Sequence, residues 1–182
     1  MIEEPDEDLV ERCRAGDAAA FAPLVLRYQR PLYNAAYRVL GNAEDAAEVT
    51  QTVFLRIVEH LDEYDARHRF FSWIYRIALN EALNVRRRGG REEPLEDDDA
   101  VATGAASDPE KHAGDSQRSR HVQRALLRLK AADRMMIVLR HFSDCSYREI
   151  GETLELDEKT VKSRLFEARQ RLRVFLREAQ AA

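Results

Sequence analysis

Lys162, Ser163, Phe166, Arg169, Gln170 and Arg173 fall on one side of a single helical stretch near the C-terminus. Val161, Leu165, Ala168 and Leu172, spaced by four, three and four, form an apolar stripe on its other side. A helix anchored by a buried stripe and faced with cations and hydroxyls can dock in a DNA major groove. The segment before it must position that face. Ser146 to Leu154 carries Ile150 and Leu154 four apart, and Glu155, Leu156 and Asp157 supply a tight turn. Together they read as a helix–turn–helix.

Other chemistry finds little support. His141 and Cys145 stand four apart, but two ligands without a third do not hold zinc. His60, His68, His112 and His121 have no ligand spacing, and no nucleophile–base pair or phosphate-binding glycine loop occurs. The reading is a protein without metal or cofactor that is not an enzyme. Cys13 and Cys145 are isolated, which fits reduced thiols in a cytoplasmic protein. The acidic start, Met1 to Asp8, is no signal peptide, and no apolar run approaches the roughly 18 residues of a membrane span.

Charge divides the 182 residues unevenly. Residues 1–88 hold 12 Lys/Arg against 15 Asp/Glu, residues 89–116 hold 2 against 9, and residues 117–182 hold 15 against 9. The C-terminal part is therefore basic although the whole chain carries −4. Residues 8–88 read as helical almost throughout. Asp17 is the expected N-cap of a helix from Ala18 toward Leu40, which Pro31 should kink or restart. Asn42 should cap a helix to Leu61 with Ala46, Val49, Val53, Ile57 and Leu61 inside, and Ser72 should cap one from Trp73 to Arg87. Residues 89–115, with Gly89-Gly90, Pro94 and the run Glu96 to Asp99, read as a flexible acidic linker. Helical patterning resumes at Ser116. The expected architecture is all-α: one helical domain over 1–88, the linker over 89–115, and a helix–turn–helix domain over 116–182, on a tether.

Three motifs carry a family resemblance: Asp45 to Phe54, Phe71 to Asn80 followed by Arg86-Arg87-Arg88, and Tyr147 to Gly151 followed by Thr160 to Leu165. In this order, with an acidic tether between the second and third, they resemble bacterial RNA polymerase sigma factors of the extracytoplasmic-function (ECF) group of the sigma-70 family. The resemblance implies a subunit that binds the two largest subunits of core RNA polymerase and directs promoter-specific initiation. It implies core-polymerase contacts from Asp45, Glu48, Gln51, Thr52 and Phe54, with Phe54 or Leu55 as apolar anchor. It implies −10 recognition and melting by Arg69, Phe70, Trp73, Arg76, Asn80, Asn84, Arg86, Arg87 and Arg88, where cations hold phosphates and an unstacked base is captured. It implies −35 contacts from Arg148, Thr160, Lys162, Ser163, Arg164, Phe166 and Arg169. Lys162, Ser163 and Phe166 would read bases, and the others would hold phosphates. An anti-sigma protein is a further implied partner, with no membrane insertion.

The residues themselves leave alternatives open. Trp73 at a helix start suits a core as well as DNA. The acidic side of Asp45 to Thr52 suits solvent as well as a partner. Glu167 and the pair Asp157-Glu158 place carboxylates where phosphates would approach; Glu167 could instead accept from a cytosine amino group, or orient Arg164 or Arg171. Two other functions compete: a helix–turn–helix regulator acting without polymerase, and a sigma-like chain that sequesters a partner. The acidic linker is also expected to shield the basic second domain.

Overall fold

The computed structural model describes residues 4–89 and 116–181. Eight α-helices make up these residues, with no strand among them: α1 (Asp6–Arg14), α2 (Phe21–Leu40), α3 (Ala43–His60), α4 (Phe70–Arg88), α5 (Ser116–Leu127), α6 (Ala131–Phe142), α7 (Tyr147–Leu154) and α8 (Glu158–Ala181). The all-α expectation holds, with α1–α4 in one unit and α5–α8 in the other. Apart from Gly89, the expected linker and its shielding role lie outside the described residues.

Local chemistry sets most helix ends. Asn42 accepts hydrogen bonds from the backbone N–H groups of Glu44 (2.8 Å) and Asp45 (3.2 Å), so α3 starts where its cap does. Ala46, Val49, Val53, Ile57 and Leu61 are buried as their spacing predicted. Gly41 ends α2 in the left-handed region at φ 75°. It cannot be replaced cheaply, because a side chain at that positive φ is strained whatever the space, and its Cβ would also push the Leu127 methyl at 2.6 Å aside.

Three boundaries differ from expectation. Asp17 caps a short 3-10 turn, Ala18–Ala20, and α2 begins only at Phe21. Pro31 neither ends nor restarts α2, which runs on to Leu40; a single missing N–H is tolerated inside so long a packed helix. The fourth helix begins at Phe70, not Trp73, because the extended backbone of Arg69 already turns the chain into it. Ser72 therefore lies inside α4, fully buried, with its hydroxyl donating to Glu152 at 3.4 Å.

That contact crosses between the two units, which pack together. α2 receives α5 and α6, and α4 receives α7, so one continuous set of buried side chains spans both. Arg134, 2% exposed, is the main polar tie. Its guanidinium donates to the carbonyls of Leu126 (2.8 Å), Leu127 and Leu129 (2.7 Å each) in its own unit, and of Val39 (2.6 Å) at the end of α2. Gln123 adds Nε2 bonds to the Tyr37 and Arg38 carbonyls at 3.1 and 3.2 Å. The last turn of one unit's helix is thus capped by side chains of the other.

Arg134→Ala should lower the unfolding free energy by roughly 3 kcal/mol, because it strands several buried carbonyls at once. Urea unfolding followed by circular dichroism reads this directly; a loss below about 0.5 kcal/mol would contradict it.

Candidate nucleic-acid interface

The helix–turn–helix is built on α7 and α8. Ser146 and Glu149 form a reciprocal capping box at the start of α7: the Ser146 hydroxyl accepts from the Glu149 N–H at 3.2 Å, and Glu149 Oε2 accepts from the Ser146 N–H at 2.8 Å. Glu155 turns the chain at φ 56°, and Gly151 lets the turn close, since a Cβ there would lie 2.6 Å from the Leu156 carbonyl oxygen. Ile150, Val161, Leu165 and Ala168 are fully buried. They hold α8 so that Lys162, Ser163, Arg164 and Phe166 all face solvent, with Phe166 62% exposed. An aromatic so exposed takes no part in the core of its unit.

Arg148, Lys162 and Arg169 on this face already have acidic or ring partners. Arg148 pairs with Glu152 at 3.0 Å, and Lys162 pairs with Glu158 at 2.9 Å while lying over the Tyr147 ring. Thr160 is held by Asp157, which caps α8 by accepting from its N–H at 2.8 Å and its hydroxyl at 2.5 Å. Asp157 therefore works as a cap. Glu167 stands 3.6 Å from Arg171, one of the two arginines it was expected to orient. Arg169 donates to His141 Nε2 at 3.1 Å. Burial, with Arg169 and Arg140 nearby, lowers the His141 pKa and so keeps that nitrogen an acceptor at neutral pH.

The second cationic face comes from α4 and the loop before it. Tyr64, Phe70 and Trp73 form an aromatic cluster with ring centroids 5.4 to 5.7 Å apart. Phe70, expected to touch DNA, is instead core at 1% exposed, because it occupies the first inward-facing position of α4 and packs edge-on against Tyr28 and Tyr64. Trp73 is half-buried. Arg67, His68 and Arg69 point outward, and Asp65 organises them by accepting from the Arg67 N–H at 2.9 Å. The Arg67 hydrogen bonds hold the Asp65 carboxyl down at about 2. Along α4, Asn80, Arg87 and Arg88 are exposed and Asn84 is half-buried, but Arg86 is 7% exposed and turned into the protein. Helical spacing explains the split: Arg86 lies four residues from Ala82 on the inward face, whereas Arg87 and Arg88 lie to either side of it.

The two faces meet. Arg69 pairs with Glu149, Arg76 donates to Glu155 at 2.9 Å, and Arg76 Nη2 donates to the Glu152 carbonyl at 2.6 Å. Burial pushes the Glu149 carboxyl up, but the Ser146 hydrogen bonds and the Arg69 charge outweigh it and leave the pKa below the ordinary glutamate value. The pair and the capping box therefore persist at neutral pH and weaken only as pH falls through that lowered value.

The five polymerase-contact candidates on α3 divide between two surfaces. Glu48 and Thr52 border a cleft with α4, whereas Gln51 and Phe54 border a groove with α2 that also holds Arg30 and Tyr33. Phe54 packs edge-on against Phe21, and Asp45 is partly buried at the start of the helix. Beside Leu55, the expected anchor at 64% exposed, stand two exposed apolar groups that the sequence reading did not single out: Leu26 at 80% and Val58 at 61%. Gln51, Leu55 and Val58 share one face by their spacing of four and three, a signal present in the sequence outside the core stripe.

Exposed ion pairs contribute roughly 0–1 kcal/mol each, so the Arg76–Glu155 pair does not hold the units together. Glu155→Gln should shift the opening free energy read by amide hydrogen exchange along α7 by less than about 1 kcal/mol. A loss several times larger would mean that the ion pairs carry the closure.

Comparison with known proteins places the whole chain. Residues 24–92 match the family model for sigma-70 region 2, and residues 119–172 match that for sigma-70 region 4. The chain is 32% identical to the ECF RNA polymerase sigma factor SigW of Bacillus subtilis, over 93% of this chain and 95% of that protein. It is 34% identical to the ECF RNA polymerase sigma-E factor of Escherichia coli K12, over 91% of each. The solved structure of CnrH in complex with the cytosolic domain of CnrY superposes with a TM-score of 0.75 at 26% identity, covering 96% of this chain and 99% of that one. With both regions matched in order and full-length relatives above 30% identity, the chain belongs to the ECF sigma factors of the sigma-70 family, which direct transcription initiation and are not themselves enzymes.

Proposed function

We propose that this sigma factor binds core RNA polymerase through the α2–α3 groove and holds promoter DNA with two faces, α4 at the −10 element and α8 at the −35 element. The observation that carries this reading is the pair of solvent-facing polar surfaces, each fixed to its own buried stripe. Gln51, Leu55 and Val58, with Phe54 behind them, offer the mixed polar and apolar patch that a helical partner covers. Glu48 and Thr52, on the far side of α3, and the partly buried Asp45 lie off that groove and would contact polymerase only at its edge. On α4, Asn80 suits base-edge hydrogen bonding; Arg69, Arg76, Arg87 and Arg88 suit phosphates. On α8, Lys162, Ser163 and Phe166 suit bases, and Arg148, Thr160, Arg164 and Arg169 suit the backbone.

The −35 and −10 elements lie about 25 base pairs apart, on the order of 80 Å at 3.4 Å per pair. α4 and α7 touch in the structure, so the units must separate before both elements are held at once. Phosphates would then replace Glu149 and Glu155 as partners of Arg69 and Arg76. We include an anti-sigma protein among the partners on the family resemblance, and on the similar structure having been solved with a second protein's cytosolic domain. No helix among the described residues is long and apolar enough to cross a membrane, in keeping with action beside polymerase in the cytoplasm.

Transcription by purified bacterial core polymerase on a pool of genomic promoter fragments tests the reading: it predicts discrete start sites that depend on this protein. Changing Arg87 and Arg88 together to alanine should reduce open-complex formation about 10-fold, or roughly 1.4 kcal/mol, while leaving polymerase binding near wild type. Leu55→Asp with Val58→Asp should do the reverse. Equal loss of both activities in either variant would show that the faces are misassigned.

A further inference from the structure

Glu81 lies on α4 within the proposed −10 face and is 5% exposed. Its Oε2 accepts from Arg56 Nη2 on α3 at 2.9 Å, and its Oε1 accepts from Arg88 Nη2 at 2.7 Å. Asn84 Nδ2 approaches Oε2 at 3.5 Å, and Arg87 donates to the Asn84 side-chain oxygen. The carboxylate is therefore the hub of a network that joins two helices.

The two arginines are not consumed by it. Arg56 is 48% exposed and Arg88 64% exposed, and each guanidinium has five N–H groups. Both side chains, with Arg87 and Asn84, border a single open cleft of about 760 Å³ between α3 and α4. Thr52 and Glu48 form the remaining α3 wall. Three cationic groups face this cleft against Glu81 and Glu48, leaving it cationic.

Burying a carboxylate is costly, and an apolar residue could join two helices without that cost. What the carboxylate adds is geometry. Two guanidinium groups repel each other and are mobile; a shared buried acceptor draws them together and fixes their planes. The remaining N–H groups then present a forked donor array, which matches the oxygens of a phosphodiester. Arginines already fixed lose less side-chain freedom when a ligand arrives.

We infer that Glu81 is a positioning residue which holds Arg56 and Arg88 as a two-armed clamp for one backbone phosphate of the promoter strand at the α3–α4 cleft. The inference makes Arg56 a DNA contact on the helix otherwise assigned to polymerase, and it rests on the reading of α4 as the −10 face.

The test uses the full chain assembled with core polymerase. It measures binding to a fork-junction promoter DNA, duplex upstream and single-stranded through the −10 element, across a salt series. Losing one phosphate contact should flatten the slope of log K against log salt by about 0.7–0.9. Arg56→Ala and Glu81→Gln should each flatten it by about that amount, the double variant should flatten it little further, and Glu81→Asp should restore part of the wild-type slope. A purely structural Glu81 would lower the folded fraction without changing the slope, and its effect would add to that of Arg56→Ala; either result overturns the clamp. Should Glu81→Gln not fold, the half-exposed Arg56→Ala decides alone, and an unchanged slope overturns the inference. If the wild-type holoenzyme fails to bind the fork DNA, the −10 assignment itself fails and the clamp falls with it. Wild-type binding with unaltered variant slopes removes only the clamp.

Discussion

Carbonyl groups in the last turn of α2 accept hydrogen bonds from side chains of the second unit, beside the Gly41 N–H that closes the helix on Tyr37. Arg134 reaches Val39, and Gln123 reaches Tyr37 and Arg38. Once these bonds are made, Leu127 must stand against Gly41, α6 must lie on α2, and α7 must come to rest on α4. The mutual position of the two cationic faces follows from this capping. The charged pairs across the α4–α7 boundary ride on it and do not cause it, since exposed pairs are worth too little to order two domains.

That difference in magnitude suits an initiation factor. The buried polar tie and shared apolar surface keep the free chain compact. The pairs in front of it, Arg69 with Glu149 and Arg76 with Glu155, are partly exposed and can exchange for phosphates. Along α8, Lys162 and Glu158 do the same within one helix. Most of the cations proposed for DNA, Arg69, Arg76, Arg88, Arg148, Lys162 and Arg169 among them, thus already meet a carboxylate or a ring, which restrains nonspecific attraction to nucleic acid while preserving geometry. Glu81 differs from these acids because it is buried, and no ligand displaces it readily.

Much of this was legible in the sequence, for identifiable reasons. Amphipathic spacing found the inner face of α3, from Ala46 to Leu61, and of α8, from Val161 to Ala168, because burial on one side imposes a period on the chain. Asn42 marked its helix start because a side-chain acceptor beside free N–H groups is a local signal. Ser72 misled for the same reason: its hydroxyl serves a contact from the other unit, which no local pattern records. Phe70 and Arg86 were placed on DNA by the family resemblance, whereas their directions follow from where α4 begins. The docking of the units depends on Arg134 and Gln123, whose partners are backbone groups some 85 to 95 residues away and leave no trace in periodicity. That Glu48 borders the cleft with α4 and Gln51 the groove with α2 needed both helices in place on either side of α3.

The central claim is that one chain serves two promoter elements with faces that touch in its free state. Energy transfer between dyes placed at residue 80 on α4 and residue 159 at the start of α8 tests it most directly, in the free protein and in the holoenzyme on promoter DNA. The account predicts high transfer for the free chain and near-complete loss when polymerase and promoter are bound, as the faces move on the order of 80 Å apart. High transfer retained in a complex that initiates transcription would contradict it.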